Sequence, residues 1–460
     1  MKARILIGAV VIVLLSAAGL LISARNATPR LVEVFPLQAA VDVPATTAIR
    51  LVFSTAMQPS SVAEHLKIEP TIPGSFAWDG NVLTFTPGQA WPAGSQVSVT
   101  LDAGAHSLGR IAFPMSGSSW SFTTSKAMLA YLWPSEGAAD IYALSPDSGV
   151  IIRFTSGMEV KDFTTSSDGI AIYFSAVNAS GGTDLYRIDR AKLVDSAGTG
   201  YHAEALLDCE AAQCRNPAIS FDNRYLAYEY ILSDPGGGLG PAQVWILNLD
   251  TRQASPVGLE SHETVQPAWS STGLLAYYDR TAGGYEVTDP TTMHRTFLAN
   301  QTGQPGEWSP DGGFYLAPEI YYYQAPGNTE RGTSHLIQYQ VSDNTSTDLS
   351  QSVDVEDAEA VYSPLGSTIA FARKFLDAAH WTLGRQLWMI NSDGSGAHPV
   401  TDEADFNHYD LAWSKDGKKL AYVRFDETRV YNPPELWMIN ADGSNPVQLV
   451  IGGYSPLWIP

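Results

Sequence analysis

Residues 413–440 read WSKDGKKLAYVRFDETRVYNPPELWMIN, and the five residues that open this stretch recur through the second half of the chain. TSSDG stands at 165–169, ISFDN at 219–223, WSSTG at 269–273, WSPDG at 308–312 and YSPLG at 362–366, with Ser in second place every time. From Thr165 to Trp413 the phrases begin 54, 50, 39, 54 and 51 residues apart. A period of this size marks an array of similar units that bury their faces on one another.

Each phrase leads into an apolar stretch such as YLAYEY (225–230), TIAFAR (368–373) or KLAYVR (419–424), and then into a second such as QVWILNLD (243–250) or ELWMIN (435–440). A polar turn and a short last stretch follow, HPVT at 398–401 and PVQLV at 446–450, which makes four strands per repeat. The phrase itself fits the hairpin between the first two strands. Its aromatic packs between neighbouring units, its Ser and Asp accept backbone hydrogen bonds across the turn, and its Gly supplies positive φ.

Residues 128–155 carry the second, third and fourth strands of a unit that lacks its first. The missing strand is expected from YSPLWIP at 454–460, where Pro456-Leu457-Trp458 parallels Pro267-Ala268-Trp269. Such pairing ties the ends of a ring together and leaves no open edge. The expectation is a seven-bladed β-propeller over 126–460, closed by the C-terminal strand. These repeats resemble the TolB-type, WD-like propeller family, with eroded phrases in the second, third and sixth blades.

Between Thr28 and Ser125 short apolar stretches alternate with turn residues, predicting strands at 31–35, 48–53, 75–78, 82–86, 96–101 and 119–123 and a helical turn near 60–66. That pattern reads as a β-sandwich. The local text, VFST at 52–55, LTFTP at 83–87 and the closing FTT at 122–124, resembles the bacterial Ig-like domain of the SbsA surface-layer type. The resemblance implies a spacer or adhesive module without catalytic residues. The whole chain is thus expected to be all-β apart from its first 27 residues.

Residues 5–23, ILIGAVVIVLLSAAGLLIS, form an uncharged run behind Lys2 and Arg4. As a helix it would be about 28 Å long, near the ~30 Å hydrocarbon thickness of a bilayer. It is expected to be a retained membrane anchor over 1–27, with the cationic N-terminus cytoplasmic and the rest of the chain outside. If cleaved as a signal, it would leave a secreted protein.

The 460 residues include 48 Asp and Glu against 27 Lys and Arg, a net charge of -21, which argues against nucleic acid as a partner. The charge divides as +3 for 1–27, -2 for 28–125 and -22 for 126–460. No G-x-S-x-G nucleophile elbow occurs, and the nine His show no metal-ligand spacing. NSDGSG at 391–396 and NADGSN at 440–445 read as Asp-Gly turns rather than calcium loops, so no cofactor is expected.

Two features remain. Cys209 and Cys214 flank EAAQ and, outside a membrane, are expected to form a local disulfide. Acids gather in the segments that precede each blade's first strand. They are Glu159 and Asp162; Asp208 and Glu210; Glu260 and Glu263; Asp354, Glu356, Asp357 and Glu359; Asp402, Glu403, Asp405 and Asp410. Only Lys161 and Arg215 oppose them there. First strands line a propeller's channel, so Glu159, Asp162, Glu263, Asp354, Glu356, Asp357, Asp402 and Asp405 are the candidates for an electronegative mouth. Such a mouth would bind a divalent cation, a basic peptide or a sugar. The function expected is non-catalytic binding of an envelope protein or glycan. The alternative is a propeller-based hydrolase or lyase with its site at the channel mouth.

Overall fold

The computed structural model describes residues 28–459, apart from 42, 89–90, 110–111, 194–200, 234–235, 237 and 326. The anchor expected within residues 1–27 lies outside the described residues, among which no helix is long and apolar enough to cross a membrane. The chain divides into two compact units, with the boundary between Lys126 and Ala127.

The first unit contains β1 (Leu31–Phe35), β2 (Ile49–Phe53), α1 (Pro59–His65), β3 (Leu66–Glu69), β4 (Gly74–Asp79), β5 (Val82–Pro87), β6 (Gln96–Leu101) and β7 (Ser118–Thr123). The strands form two sheets, ordered β1-β2-β5-β4 and β3-β6-β7. Period-two alternation places Ile49, Leu51 and Phe53 in one core with Val97, Val99, Leu101, Trp120 and Phe122, as a sandwich requires. The strand β3, directly after the helix, has no counterpart among the expected strands, because LKIE carries two charges in four residues. Only its pairing with β6 makes it a strand.

In the second unit the strands fall into antiparallel meanders. The first comprises β8 (Met128–Trp133), β9 (Asp140–Leu144) and β10 (Ile151–Arg153). Next come β11 (Val160–Thr165), β12 (Ala171–Val177), β13 (Thr183–Leu193) and β14 (Tyr201–Leu207). They are followed by β15 (Gln213–Ile219), β16 (Tyr225–Ser233), β17 (Leu239–Asn248) and β18 (Ala254–Pro256). Then come β19 (Thr264–Trp269), β20 (Leu275–Asp279), β21 (Gly284–Thr288) and β22 (Arg295–Ala299). The next group is β23 (Glu307–Trp308), β24 (Phe314–Ala325), β25 (Thr329–Gln340) and β26 (Thr345–Asp348). It precedes β27 (Val355–Tyr362), β28 (Thr368–Phe375), β29 (Gln386–Asn391) and β30 (His398–Pro399). The last are β31 (Phe406–Trp413), β32 (Lys419–Asp426), β33 (Glu435–Asn440), β34 (Val447–Ile451) and β35 (Tyr454–Ile459).

The C-terminal β35 pairs with β8, giving the order β10-β9-β8-β35 and completing the first meander as its sequence requires. A single parallel bridge, Thr183 to Gln213, joins the meanders of β11 and β15 into one eight-stranded sheet. The first strands touch in the order β11, β15, β19, β23, β27, β31, β35 and back to β11. They form a ring, which is the architecture of a β-propeller.

The recurring phrase accounts for both the hairpin and the joint between meanders. Ser166, Ser220, Ser270, Ser309, Ser363 and Ser414 each accept, at Oγ, a backbone N–H from the start of the second strand, at 2.8–3.2 Å. The phrase's last residue has positive φ, 68° at Gly417. The aromatic reaches the preceding meander. Nε1 of Trp269, Trp308, Trp413 and Trp458 donates to the carbonyl of Ala218, Ala268, Val361 and Ala412 respectively, at 3.0–3.3 Å. One residue type thus fills the interface and satisfies a backbone acceptor within it.

Candidate functional site

Because the meanders are antiparallel, chain direction fixes which loops share a face. The phrase hairpins lie at one end of the ring. The segments entering each first strand lie at the other, together with the hairpins between second and third strands. Backbone packing agrees, since Gly384, in the hairpin after β28, lies so close to the backbone of Phe406 at the entry to β31 that there is no room for a Cβ.

The acidic entry segments therefore stand on one face, but their carboxylates meet different fates. Asp354, Asp402 and Asp405 are exposed, and among the described residues they form no ion pairs. Glu159 pairs with Lys161 at 2.9 Å, and Glu263 with Arg280 at 2.6 Å. Glu356 pairs with Arg385. Asp357 does not reach the mouth at all. It is fully buried and accepts from Arg373 Nε and Nη2, at 2.7 and 2.6 Å, and from Ser350 Oγ at 2.6 Å. Adjacent residues of a strand face opposite sides, which parts Glu356 from Asp357, and one extra residue in β27, between Ala358 and Val361, then shifts the register.

That irregularity recurs around the ring. Asn216, Gln266, Glu359, Asp410 and Ser455 all have positive φ, 48–58°, each three residues before the aromatic position of its strand. The bulge frees a backbone N–H, and a carboxylate from the preceding meander accepts it. Asn216 donates to Asp162 at 3.3 Å, Gln266 to Glu229 at 2.7 Å, Asp410 to Glu359 at 3.4 Å and Ser455 to Asp410 at 3.0 Å. Asp162, the equivalent residue in β11, also takes Arg215 Nε at 3.2 Å. Several rim acids are therefore latches between meanders.

Elsewhere on the first strands and their turns, the surrounding protein governs the charges even where the side chains stay accessible. Burial, and then the charge of Asp410, push the Glu359 carboxyl up, and burial does the same to Asp410. Glu307, on the short β23, stays accessible to solvent but is surrounded by protein, which raises its carboxyl to about 7, offset by Lys415, whose own pKa its surroundings lower. These two belong to meanders that are not neighbours in the ring, yet each bears on the other's charge. Glu403 lies at the opposite extreme, lowered to about 2 by the hydrogen bond from His408 and the adjacent Arg424 guanidinium. No cluster of three metal-ligating side chains is present among the described residues.

Glu307 and Lys415 escape a reading based on acidic runs, because Glu307 is the lone charge of its short strand and Lys415 is a base in a segment shared with Lys418 and Lys419. A usable signal does exist in the polar residue three places before the start of the phrase, at Asp162, Asn216, Gln266, Glu359 and Asp410, and before Trp458, at Ser455. Cys209 and Cys214 form a disulfide with Cα atoms 6.3 Å apart, tying the turn before β15 to the second residue of that strand. Asp393 and Asp442, in the calcium-like segments, accept from Ser395 and Ser444 within their own turns.

Residues 25–124 match the family described as bacterial Ig-like domain. A stretch of 66 residues is 38% identical to dipeptidyl-peptidase 5 of Porphyromonas gingivalis, covering 14% of this chain and only 10% of that peptidase. The chain is similar in structure to a solved prolyl endopeptidase, with a TM-score of 0.50 at 12% identity over 78% of this chain and 48% of the other. It is also similar to TolB from Acinetobacter baumannii, with a TM-score of 0.43 at 10% identity over 86% of this chain and 83% of that one. At such identities the structural likeness concerns the fold alone. Residues 25–124 are thus a bacterial Ig-like domain, and the unit that follows has the fold of a β-propeller.

Proposed function

We propose that this is a non-catalytic binding protein of the cell envelope. Its N-terminal segment anchors it in the membrane, an Ig-like domain of the SbsA type acts as a spacer, and a seven-bladed, TolB-type and WD-like head recognises a protein or glycan. The observation that carries this reading is the placement of Asp354, Asp402 and Asp405, which are exposed and, among the described residues, free of ion pairs on the face shared by the entry segments. Charges kept out of internal pairs, on a face bordered by low-dielectric walls, attract a complementary partner. Capture of partners from envelope extract by the full-length chain tests it. Reversal of the three acids to Lys is expected to abolish capture, and unchanged capture would overturn the reading.

A second reading, a hydrolase or lyase, is favoured by Glu307 alone. A carboxyl titrating near 7 is suited to general acid-base work. Turnover of a peptide or glycan panel that disappears in Glu307→Gln would select it.

A further inference from the structure

On one half of the same face, three hairpins between second and third strands present large aromatic rings to solvent. Tyr322 on β24 is 51% exposed, Trp381 after β28 is 53% exposed and Tyr431 after β32 is 95% exposed. Their meanders are consecutive in the ring, since β23, β27 and β31 touch in turn. The acids Asp354, Asp402 and Asp405 enter between them, so rings and unpaired carboxylates alternate along an arc. Segments 349–359, 373–385, 400–405 and 424–435, which build the arc's centre, hold 11 Asp and Glu against 5 Lys and Arg.

Building on the binding reading above, we propose that this arc is a docking surface for an extended, Lys- and Arg-rich segment of a partner protein. Exposed rings flanked by carboxylates suit a cation with an aliphatic stem, which offers charge to both and methylene groups to the ring. The protein already uses this chemistry internally. Lys374 Nζ sits 5.0 Å from the centroid of the Trp381 ring. Arg424 lies between the rings of Phe406 and Trp437, at 4.2 and 3.9 Å, with Glu403 and Glu435 as its carboxylate partners. A neutral sugar would stack on the rings and donate hydroxyls to the carboxylates but would leave the net negative charge unmatched, and a polyuronate would be repelled by it.

The test is calorimetric titration of the full-length protein with a Lys/Arg-rich peptide, a length-matched neutral peptide, an acidic peptide and a neutral oligosaccharide. The basic peptide is expected to bind, and to bind more weakly as salt rises from roughly 50 to 200 mM, where screening tightens. Trp381→Ala and Tyr431→Ala are each expected to weaken it about two- to five-fold. Asp354→Asn, Asp402→Asn and Asp405→Asn together should flatten the salt dependence, and these exposed side chains can be changed without disturbing the core. Equal binding of the neutral peptide, or basic-peptide binding indifferent to all five substitutions, would overturn the proposal. Binding of the oligosaccharide without the basic peptide would overturn it while leaving the wider binding reading intact. If no probe binds, the proposal falls, and partner capture decides the wider reading separately.

Discussion

The carboxylate of Asp410 accepts the backbone N–H of Ser455 at 3.0 Å, so a side chain 45 residues upstream holds the C-terminal strand to its neighbour in the ring. The contact lies at the joint where the ring closes. Asp410→Ala is expected to cost about 1–2 kcal/mol, as for a hydrogen bond left without its acceptor, whereas Asp410→Asn keeps an acceptor and should cost less. Urea unfolding of the two variants reads the difference, and equal losses would mean that the bond is not what holds β35.

The indole of Trp413 combines burial with one hydrogen bond to Val361 at 3.3 Å, and substitution separates the two. Trp413→Phe removes the donor and should cost about 1 kcal/mol, whereas Trp413→Ala also opens a cavity and should cost about 3–5 kcal/mol. If Phe proved as damaging as Ala, the hydrogen bond rather than packing would dominate the joint.

Asp357 and Arg373 form a buried pair, so Asp357→Ala leaves an uncompensated cation in the core and should cost about 3–5 kcal/mol. The same change at exposed Asp402 should alter stability by less than about 0.5 kcal/mol. Thermal unfolding of both proteins compares them.

Stability should depend on pH with opposite signs at two sites. Glu307 binds its proton more tightly in the folded state, so the stability it contributes is full below pH 4.5 and is lost as pH rises toward 7. Glu403, held near 2, contributes stability above pH 4.5 that is lost as pH falls toward 2. Melting temperatures between pH 5 and 8 should therefore fall less steeply in Glu307→Gln than in the parent, and an unchanged slope would count against a raised Glu307 pKa.

The Cys209–Cys214 bridge closes a short loop, for which chain entropy gives about 2 kcal/mol. Replacing both residues with Ser should lower stability by that amount without moving the transition's width. In native protein neither thiol should alkylate before reduction.

What the sequence determined by itself is the repeat. A Ser that must accept the N–H five residues on, a Gly at positive φ and an indole that must find a carbonyl are local demands, so their recurrence located the hairpins, the joints and the strand that closes the ring. The same local logic marked the sandwich strands and the disulfide, but not β3, which only its partner β6 makes a strand. Tertiary structure decided the fate of each acid. Asp354 and Asp357 stand three residues apart in one acidic run, yet one faces water and the other is sealed against Arg373. Asp354 precedes β27 whereas Asp357 lies within it, directly opposite Arg373, and which residue stands opposite is fixed by pairing across the sheet rather than by composition. Charge can therefore be counted along the chain, but whether it is latched, buried or offered to a partner depends on what the fold brings opposite it.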